Sequence, residues 1–166
     1  FIPLAQYHGG GAAATIEPLH EHLDHYEMML VSNIGMGIQS ALRGPRLYDT
    51  DETKAMVKRV VSWYKQYRDI LESDIIHLRR ADGRDLDYMM HVNPELQEKG
   101  FLLVFNPTDQ VIRKKIKVPL YYTGLKKKAK VRQQEQKARS YKLGREYEIE
   151  LEVEVAPNWY NWFVIE

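Results

Sequence analysis

Residues 148–155 read EIELEVEV, and this stretch decides the fold class of the second half of the chain. Every second residue is a glutamate, and the residues between them are the aliphatic Ile149, Leu151, Val153 and Val155. A period of two places the aliphatic side chains on one face of a strand and the carboxylates on the other. The pattern therefore predicts an antiparallel strand with one buried and one solvent-facing side.

From about residue 75 onward, several other short segments have the same strand-like character. One of them turns at Asn106-Pro107-Thr108-Asp109, a typical turn sequence. The basic segment 126–139 is compatible either with a loop or with a pair of exposed strands. Several strands joined by short turns predict a β-sandwich. The further predicted strands are 86–92, 101–105, 111–118, 120–123 and 159–165.

The first part of the chain has helical periodicity instead. Two helices are predicted there. The second begins at Thr50, a favourable cap residue, and is expected to end near Ser73. Short apolar segments at 1–7 and 38–42 precede the two helices and predict buried strands. The whole chain is therefore predicted to be α+β. The first helix presents one apolar face, formed by Leu19, Leu23, Tyr26, Leu30 and Ile34.

The order of elements and one internal segment resemble a known enzyme family. Residues 64–70 read YKQYRDI, and they are followed by a segment ending in Leu78-Arg79 and by an apolar strand that runs to Asn106. In these features the chain resembles the C-terminal part of α-galactosidase-like glycoside hydrolases, including large glycosidase-like proteins of gut bacteria. The resemblance implies that residues 1–76 are the last βα units of a (β/α)8 TIM barrel. It implies that residues 77–166 are a C-terminal antiparallel β-sandwich.

Two βα units cannot close a barrel, which needs eight. If the resemblance holds, the remainder of the barrel is expected upstream of Phe1, and the apolar start FIPLAQY would pack beside its strands. The resemblance also implies two-carboxylate glycosidic hydrolysis by the intact protein, with both carboxylates outside this chain. The chain alone is then expected to be inactive.

The loops after the two predicted strands of the first part carry the candidate substrate-binding residues. His8, Gly9 and Gly10 follow the first strand, and Arg43 follows the second. Loops after strands carry functional side chains in α/β enzymes, and glycines let a ligand approach the backbone closely. We expect these residues to hydrogen-bond to sugar hydroxyls and to form one wall of a pocket. A tight turn at the glycines and a solvated arginine are the alternatives.

Composition argues against several other classes of function. The formal net charge is only +1, and the basic run 126–130 has no interleaved aromatic residues, so nucleic acid is not an expected partner. No apolar stretch reaches the roughly 18 residues of a membrane span. The chain has no cysteine and thus no thiol nucleophile. His20, His22 and His25 cannot all face one ion from one helix, so neither a metal nor another cofactor is expected.

The expected partners are a carbohydrate substrate and the upstream barrel, and the expected protein is soluble and either periplasmic or secreted. Two alternatives to a hydrolase fragment stay open. The sandwich could be a non-catalytic carbohydrate-binding module that uses Trp159, Tyr160 or Trp162. It could also be a structural or interaction domain without a ligand.

Overall fold

The computed structural model describes residues 17–38 and 46–166. The chain divides into two compact units, Phe1–Leu71 and Glu72–Glu166. In its described part the first unit is helical, and the second unit is built of antiparallel sheets. The predicted α+β class is thereby confirmed, whereas the two strands predicted at 1–7 and 38–42 lie outside the described residues except for Ile38. None of the described helices is long and apolar enough to cross a membrane.

Two principal helices form the described part of the first unit. A short 3-10 helix, Leu19–His22, leads into α1, Leu23–Ile34, and the second principal helix is α2, Asp51–Gln66. Thr50 begins α2 with a capping box, because its Oγ1 accepts from the backbone N–H of Thr53 at 3.3 Å and its own N–H donates to Thr53 Oγ1 at 3.0 Å. Helices α1 and α2 pack together. Their buried apolar side chains are Tyr26, Met29, Leu30, Val31, Met56, Val57 and Val60.

The second helix is interrupted once, which the sequence did not predict. Tyr67 leaves the helical region (φ −109°, ψ 17°), and the one-turn helix α3, Arg68–Leu71, follows it. The N–H of Tyr67 still donates to Trp63 O at 3.2 Å, and the N–H of Leu71 donates to Tyr67 O at 2.9 Å. The break is therefore a change of dihedral angle at one residue without loss of these backbone hydrogen bonds.

The second unit contains eight strands in two sheets, and all pairs are antiparallel. The larger sheet has the order β1-β2-β3-β8-β5-β6, and the smaller sheet pairs β4 with β7. This arrangement is consistent with the predicted β-sandwich. The strands are β1 Asp74–His77, β2 Asp87–Val92, β3 Gly100–Phe105, β4 Ile112–Pro119, β5 Lys128–Gln133, β6 Arg139–Lys142, β7 Glu148–Val155 and β8 Tyr160–Ile165.

The alternating residues of β7, Glu148–Val155, account for much of the core of the second unit. The aliphatic residues of β7 are buried, while Glu150, Glu152 and Glu154 are exposed. Leu151 lies opposite Ile116 of β4 and belongs to one apolar cluster that also includes residues of β2, β3, β5 and β8. The two sheets thus enclose a common apolar layer. In β3, by contrast, all six residues are buried, as its fully apolar sequence predicts.

Two expectations about the polar segments are decided by backbone hydrogen bonding. The predicted strand at 120–123 is wrong, because Tyr121–Thr123 is a 3-10 turn. Thr123 Oγ1 donates to Leu120 O at 2.6 Å, and Gly124 closes the turn with φ +74°. Of the two possibilities for 126–139, the pair of strands is correct, since β5 and β6 pair there.

Candidate functional site

The candidate substrate-binding residues His8, Gly9, Gly10 and Arg43 all lie outside the described residues. Their assignment to a sugar pocket therefore stays a prediction. Each of the two loops nevertheless leads into a helix whose beginning is described. The contacts between these helix beginnings are the part of the region that the structure describes.

The two helix beginnings are joined by His20 and Asp49. The backbone N–H of His20 and its ring Nδ1 lie 3.2 and 2.9 Å from Asp49 Oδ2. The other carboxylate oxygen of Asp49 accepts from Thr53 Oγ1 at 3.0 Å. His20 lies at the start of the first helical segment, and Asp49 directly precedes the cap of α2. The carboxylate thus links the ends of the two candidate loops.

Two further contacts reinforce the same junction. Arg46 Nε lies 3.3 Å from Glu17 Oε1, so the residues at the exits of the two loops are themselves paired. The hydroxyl of Tyr26 donates to Leu47 O at 2.7 Å. Burial raises the pKa of Tyr26 to about 12, which keeps this donor protonated at physiological pH.

The helices are also paired further along their length. Arg59 donates to both carboxylate oxygens of Glu27, at 2.8 and 2.7 Å. The Glu27 side chain is only 4 % exposed, and a fork-like bidentate pair is the arrangement in which arginine best compensates a buried carboxylate. The relative position of α1 and α2 is therefore fixed at both ends.

The His20–Asp49 pair is ionised over a wide pH range. The hydrogen bond that the His20 ring donates to Asp49 raises the pKa of His20. Burial opposes ionisation of Asp49, but the hydrogen bonds from His20 and Thr53 outweigh it and hold the pKa of that carboxyl well below its ordinary value. His20 thus has a structural carboxylate partner. Within residues 17–38 and 46–166, no three histidine, aspartate or glutamate side chains are placed to hold a metal ion.

Asp49→Asn is expected to lower the pKa of His20 towards its ordinary value of 6.5, because the variant removes the negative charge beside the ring. The raised pKa of His20 makes the pair fully stabilising below about pH 6.5, and this contribution is lost as pH rises through the folded-state pKa. The lowered pKa of Asp49 gives a stabilising contribution that is complete above about pH 3.8 and is lost as pH falls through the folded-state pKa. NMR titration of the His20 ring measures the shift. The exposed His22 is the internal control, and an equal shift at both rings would contradict the pairing.

Arg79, at the position where the resemblance implies an arginine after a strand, has a structural environment. It donates to Asp82 Oδ2 at 2.6 Å and to Leu86 O at 3.2 Å, and it lies 3.5 Å from Asp87 Oδ1. The arginine lowers the pKa of Asp82 to about 2, whereas burial raises the pKa of Asp87. Asp85 in the same loop pairs with Lys114. These carboxylates stabilise the β1–β2 loop and do not form a free catalytic pair.

The aromatic residues of β8 and its approach are divided between surface and core. Trp162 is 7 % exposed and stacks on Phe101 with ring centroids 5.3 Å apart and an interplanar angle of 15°. Trp159 and Tyr160 are half-buried and contact each other at 5.0 Å. Trp162 is therefore a core residue and not part of an open strip for sugar stacking.

A pocket of about 220 Å³ is lined by residues from both sheets of the second unit. Lys137 and Arg139 form one wall, Glu150 and Glu152 form the other, and Leu151 contributes apolar surface. Lys115 also lines the pocket, so three basic side chains face two acidic ones and the charges largely offset each other.

Exposed tyrosines form a second surface feature, which sequence reasoning missed. Tyr121, Tyr122 and Tyr147 are 64 %, 61 % and 39 % exposed, and their rings contact one another. The sequence pattern predicts a strand that includes Tyr121 and Tyr122. Tyr147 lies far from them in sequence, so no local pattern indicates that the three rings meet. The repeated tyrosine at 121–122 beside a turn was the one available signal.

Solved structures of glycoside hydrolases have a similar fold. A GH27 β-L-arabinopyranosidase from Geobacillus stearothermophilus matches with a TM-score of 0.57 and 14 % identity, over 86 % of this chain and 30 % of that chain. An α-amylase from Anoxybacillus matches with a TM-score of 0.55 and 11 % identity, over 92 % and 34 %. A Bacteroides fragilis protein proposed to be an α-galactosidase (melibiase) matches with a TM-score of 0.51 and 13 % identity, over 86 % and 28 %.

The predicted resemblance to the C-terminal part of an α-galactosidase-like glycoside hydrolase is confirmed as a similarity of fold. The chain spans about a third of the length of the solved structures that it matches. No protein-family model matches the sequence, and no curated protein matches it either.

Proposed function

We propose that this chain is the C-terminal part of a glycoside hydrolase, in which the first unit ends a (β/α)8 barrel and the second unit is an accessory β-sandwich. The observation that carries the proposal is the fold similarity to glycoside hydrolases over 86 % of the chain, which corresponds to 30 % of the matched arabinopyranosidase. The barrel supplies the two catalytic carboxylates from strands outside this chain.

In this proposal the first unit contributes one wall of the sugar pocket. His8, Gly9, Gly10 and Arg43 hydrogen-bond to sugar hydroxyls from the loops that precede the two helices. The His20–Asp49 and Glu17–Arg46 contacts support this assignment, because they join the residues that follow the two segments in sequence.

The second unit has no catalytic role in this proposal. Its carboxylates in the β1–β2 loop are engaged with Arg79 and Lys114, and those on the exposed face of β7 lie opposite basic residues of β4. Arg113 and Lys117, for instance, pair with Glu154 and Glu148. The sandwich therefore stabilises the enzyme and leaves the chemistry to the barrel.

Arg43→Ala and His8→Ala test the assignment in the product of the whole reading frame that contains this chain. Each variant is expected to raise KM for the hydrolysed aryl glycoside about tenfold, because each removes one or two hydrogen bonds to the sugar. The substrates for the initial screen are aryl α-galactoside, β-L-arabinopyranoside and α-maltoside. Lys137→Ala, on the sandwich, is the matched control with unchanged KM. Unchanged KM in both loop variants would contradict the assignment of the pocket wall.

A further inference from the structure

The tyrosine patch, defined as Tyr121, Tyr122 and Tyr147, is a rigid aromatic surface of the second unit. The ring centroids of Tyr121 and Tyr122 are 5.3 Å apart, and those of Tyr121 and Tyr147 are 5.7 Å apart. The interplanar angles are 89° and 75°, so the rings meet edge to face and hold one another at fixed angles. All three side chains are more than a third exposed despite these contacts.

The backbone beneath the patch is tightly bonded. The N–H of Leu120 donates to Tyr147 O at 2.7 Å, which joins the 3-10 turn to the loop between β6 and β7. Leu120 itself is fully buried, and its carbonyl accepts from Thr123 Oγ1 at 2.6 Å. Two segments that are remote in sequence therefore present their tyrosines from one fixed base.

Tyr147 has a left-handed backbone conformation, which is sterically unfavourable for a residue with a large side chain. Its φ is +57°, and its N–H donates to Gly144 O at 3.2 Å while the N–H of Gly144 donates to Glu148 O at 2.8 Å. Glycine is the residue that adopts this left-handed position of a hairpin turn without steric cost. Tyr147 thus keeps an exposed aromatic ring at a position where glycine would be less strained.

We propose that the tyrosine patch binds a neutral polysaccharide chain. The C–H faces of sugar rings pack on aromatic rings, and phenol hydroxyls both donate to and accept from sugar hydroxyls. Within residues 17–38 and 46–166, the three phenol hydroxyls make no hydrogen bond to the protein, so they are available to a ligand. The choice of a carbohydrate as the occupant rests on the proposed function.

The small extent of the patch argues against a protein partner, because only three exposed tyrosines form it. A stable protein interface buries about 800 Å² on each side around an apolar centre. The exposed large aliphatic residues of the second unit are Ile75 and Val111, which belong to other turns and strands, and Leu120 and Leu143 near the patch are buried. A patch of three tyrosines is narrow enough for a ligand such as a sugar chain.

Affinity electrophoresis of the full 166-residue chain tests the proposal, with soluble starch, galactomannan or arabinogalactan in the gel. We expect retardation by at least one of these polysaccharides. Tyr121→Ala should weaken the apparent affinity about tenfold, since aromatic anchors dominate such sites. Tyr147→Gly should weaken it similarly while its melting temperature stays equal or rises, because the strain is removed. Val111→Ala, at an exposed turn elsewhere, should bind like the wild type.

Tyr147→Phe shows whether binding depends on the aromatic ring or on the hydroxyl. The variant keeps the ring and the left-handed backbone conformation and removes only the hydroxyl. It should bind within about threefold of the wild type, because only one hydroxyl contact is removed. Migration unaffected by all three polysaccharides would overturn the proposal, and so would retention by Tyr121→Ala equal to that of the wild type. Hydrolysis by the whole reading-frame product is a separate measurement, so failure of the patch leaves the proposed function standing.

Discussion

Asn106→Asp is expected to destabilise the second unit by about 3 kcal/mol or more at pH 7. The Asn106 side chain is almost completely buried, and its amide nitrogen donates to the carbonyls of Gln110, Val155 and Ala156 at 2.7, 3.1 and 3.0 Å. Its oxygen accepts from the N–H and hydroxyl of Thr108. An aspartate keeps the shape and the accepted bonds but points a second oxygen at three carbonyls.

The loss should depend on pH in a defined direction. Three carbonyl dipoles raise the folded-state pKa of the new carboxyl above its unfolded value of about 3.9, so the destabilisation grows as pH rises through that range. Asn161→Asp is the matched control, because Asn161 is also buried but donates only one such bond, to Glu154 O at 3.1 Å. Urea unfolding at pH 4 and pH 7 measures both variants. Equal losses for the two variants would contradict the role given to Asn106.

Trp162→Ala is expected to cost about 3–5 kcal/mol of stability, because it removes a large side chain that is nearly buried and stacked on Phe101. The melting temperature should fall by about 10 °C for a chain of this size. Trp162→Phe should recover much of the loss, since it keeps an aromatic ring against Phe101. Thermal unfolding by circular dichroism measures these differences.

Tyr121→Ala is the control for Trp162→Ala, because its ring is 64 % exposed and its loss should change stability by less than about 0.5 kcal/mol. A carbohydrate-binding role for Trp162 would give the opposite result. In that case Trp162→Ala would abolish retention by a polysaccharide while its melting temperature stayed at the wild-type value.

Much of the second unit could be predicted from the sequence because its signals are local. The alternation of β7 and the uniform apolarity of β3 each follow from a few adjacent residues. β5 and β6 gave a weaker signal, since Ala129 and Val131 are the only buried residues of β5. Which strands pair, and in which sheet, depends on contacts between residues far apart in sequence.

The candidate site could be predicted only in part, for the same reason. The chain order placed His8 and Arg43 on loops before two helices, but the pairing of His20 with Asp49 joins residues 29 positions apart. The tyrosine patch depends on the Leu120–Tyr147 backbone hydrogen bond. No periodic pattern encodes such a bond, so the sequence assigned Tyr121 and Tyr122 to a strand.

The most direct test of the proposed function compares glycoside hydrolysis by the 166-residue chain and by the product of the whole reading frame that contains it. Release of p-nitrophenol from the aryl glycosides is measured for both proteins at equal concentration. The longer product is expected to hydrolyse at least one substrate, and the chain alone is expected to hydrolyse none. Equal hydrolysis by the chain alone, or no hydrolysis by a folded longer product, would contradict the proposal that the chain is the C-terminal part of a glycoside hydrolase.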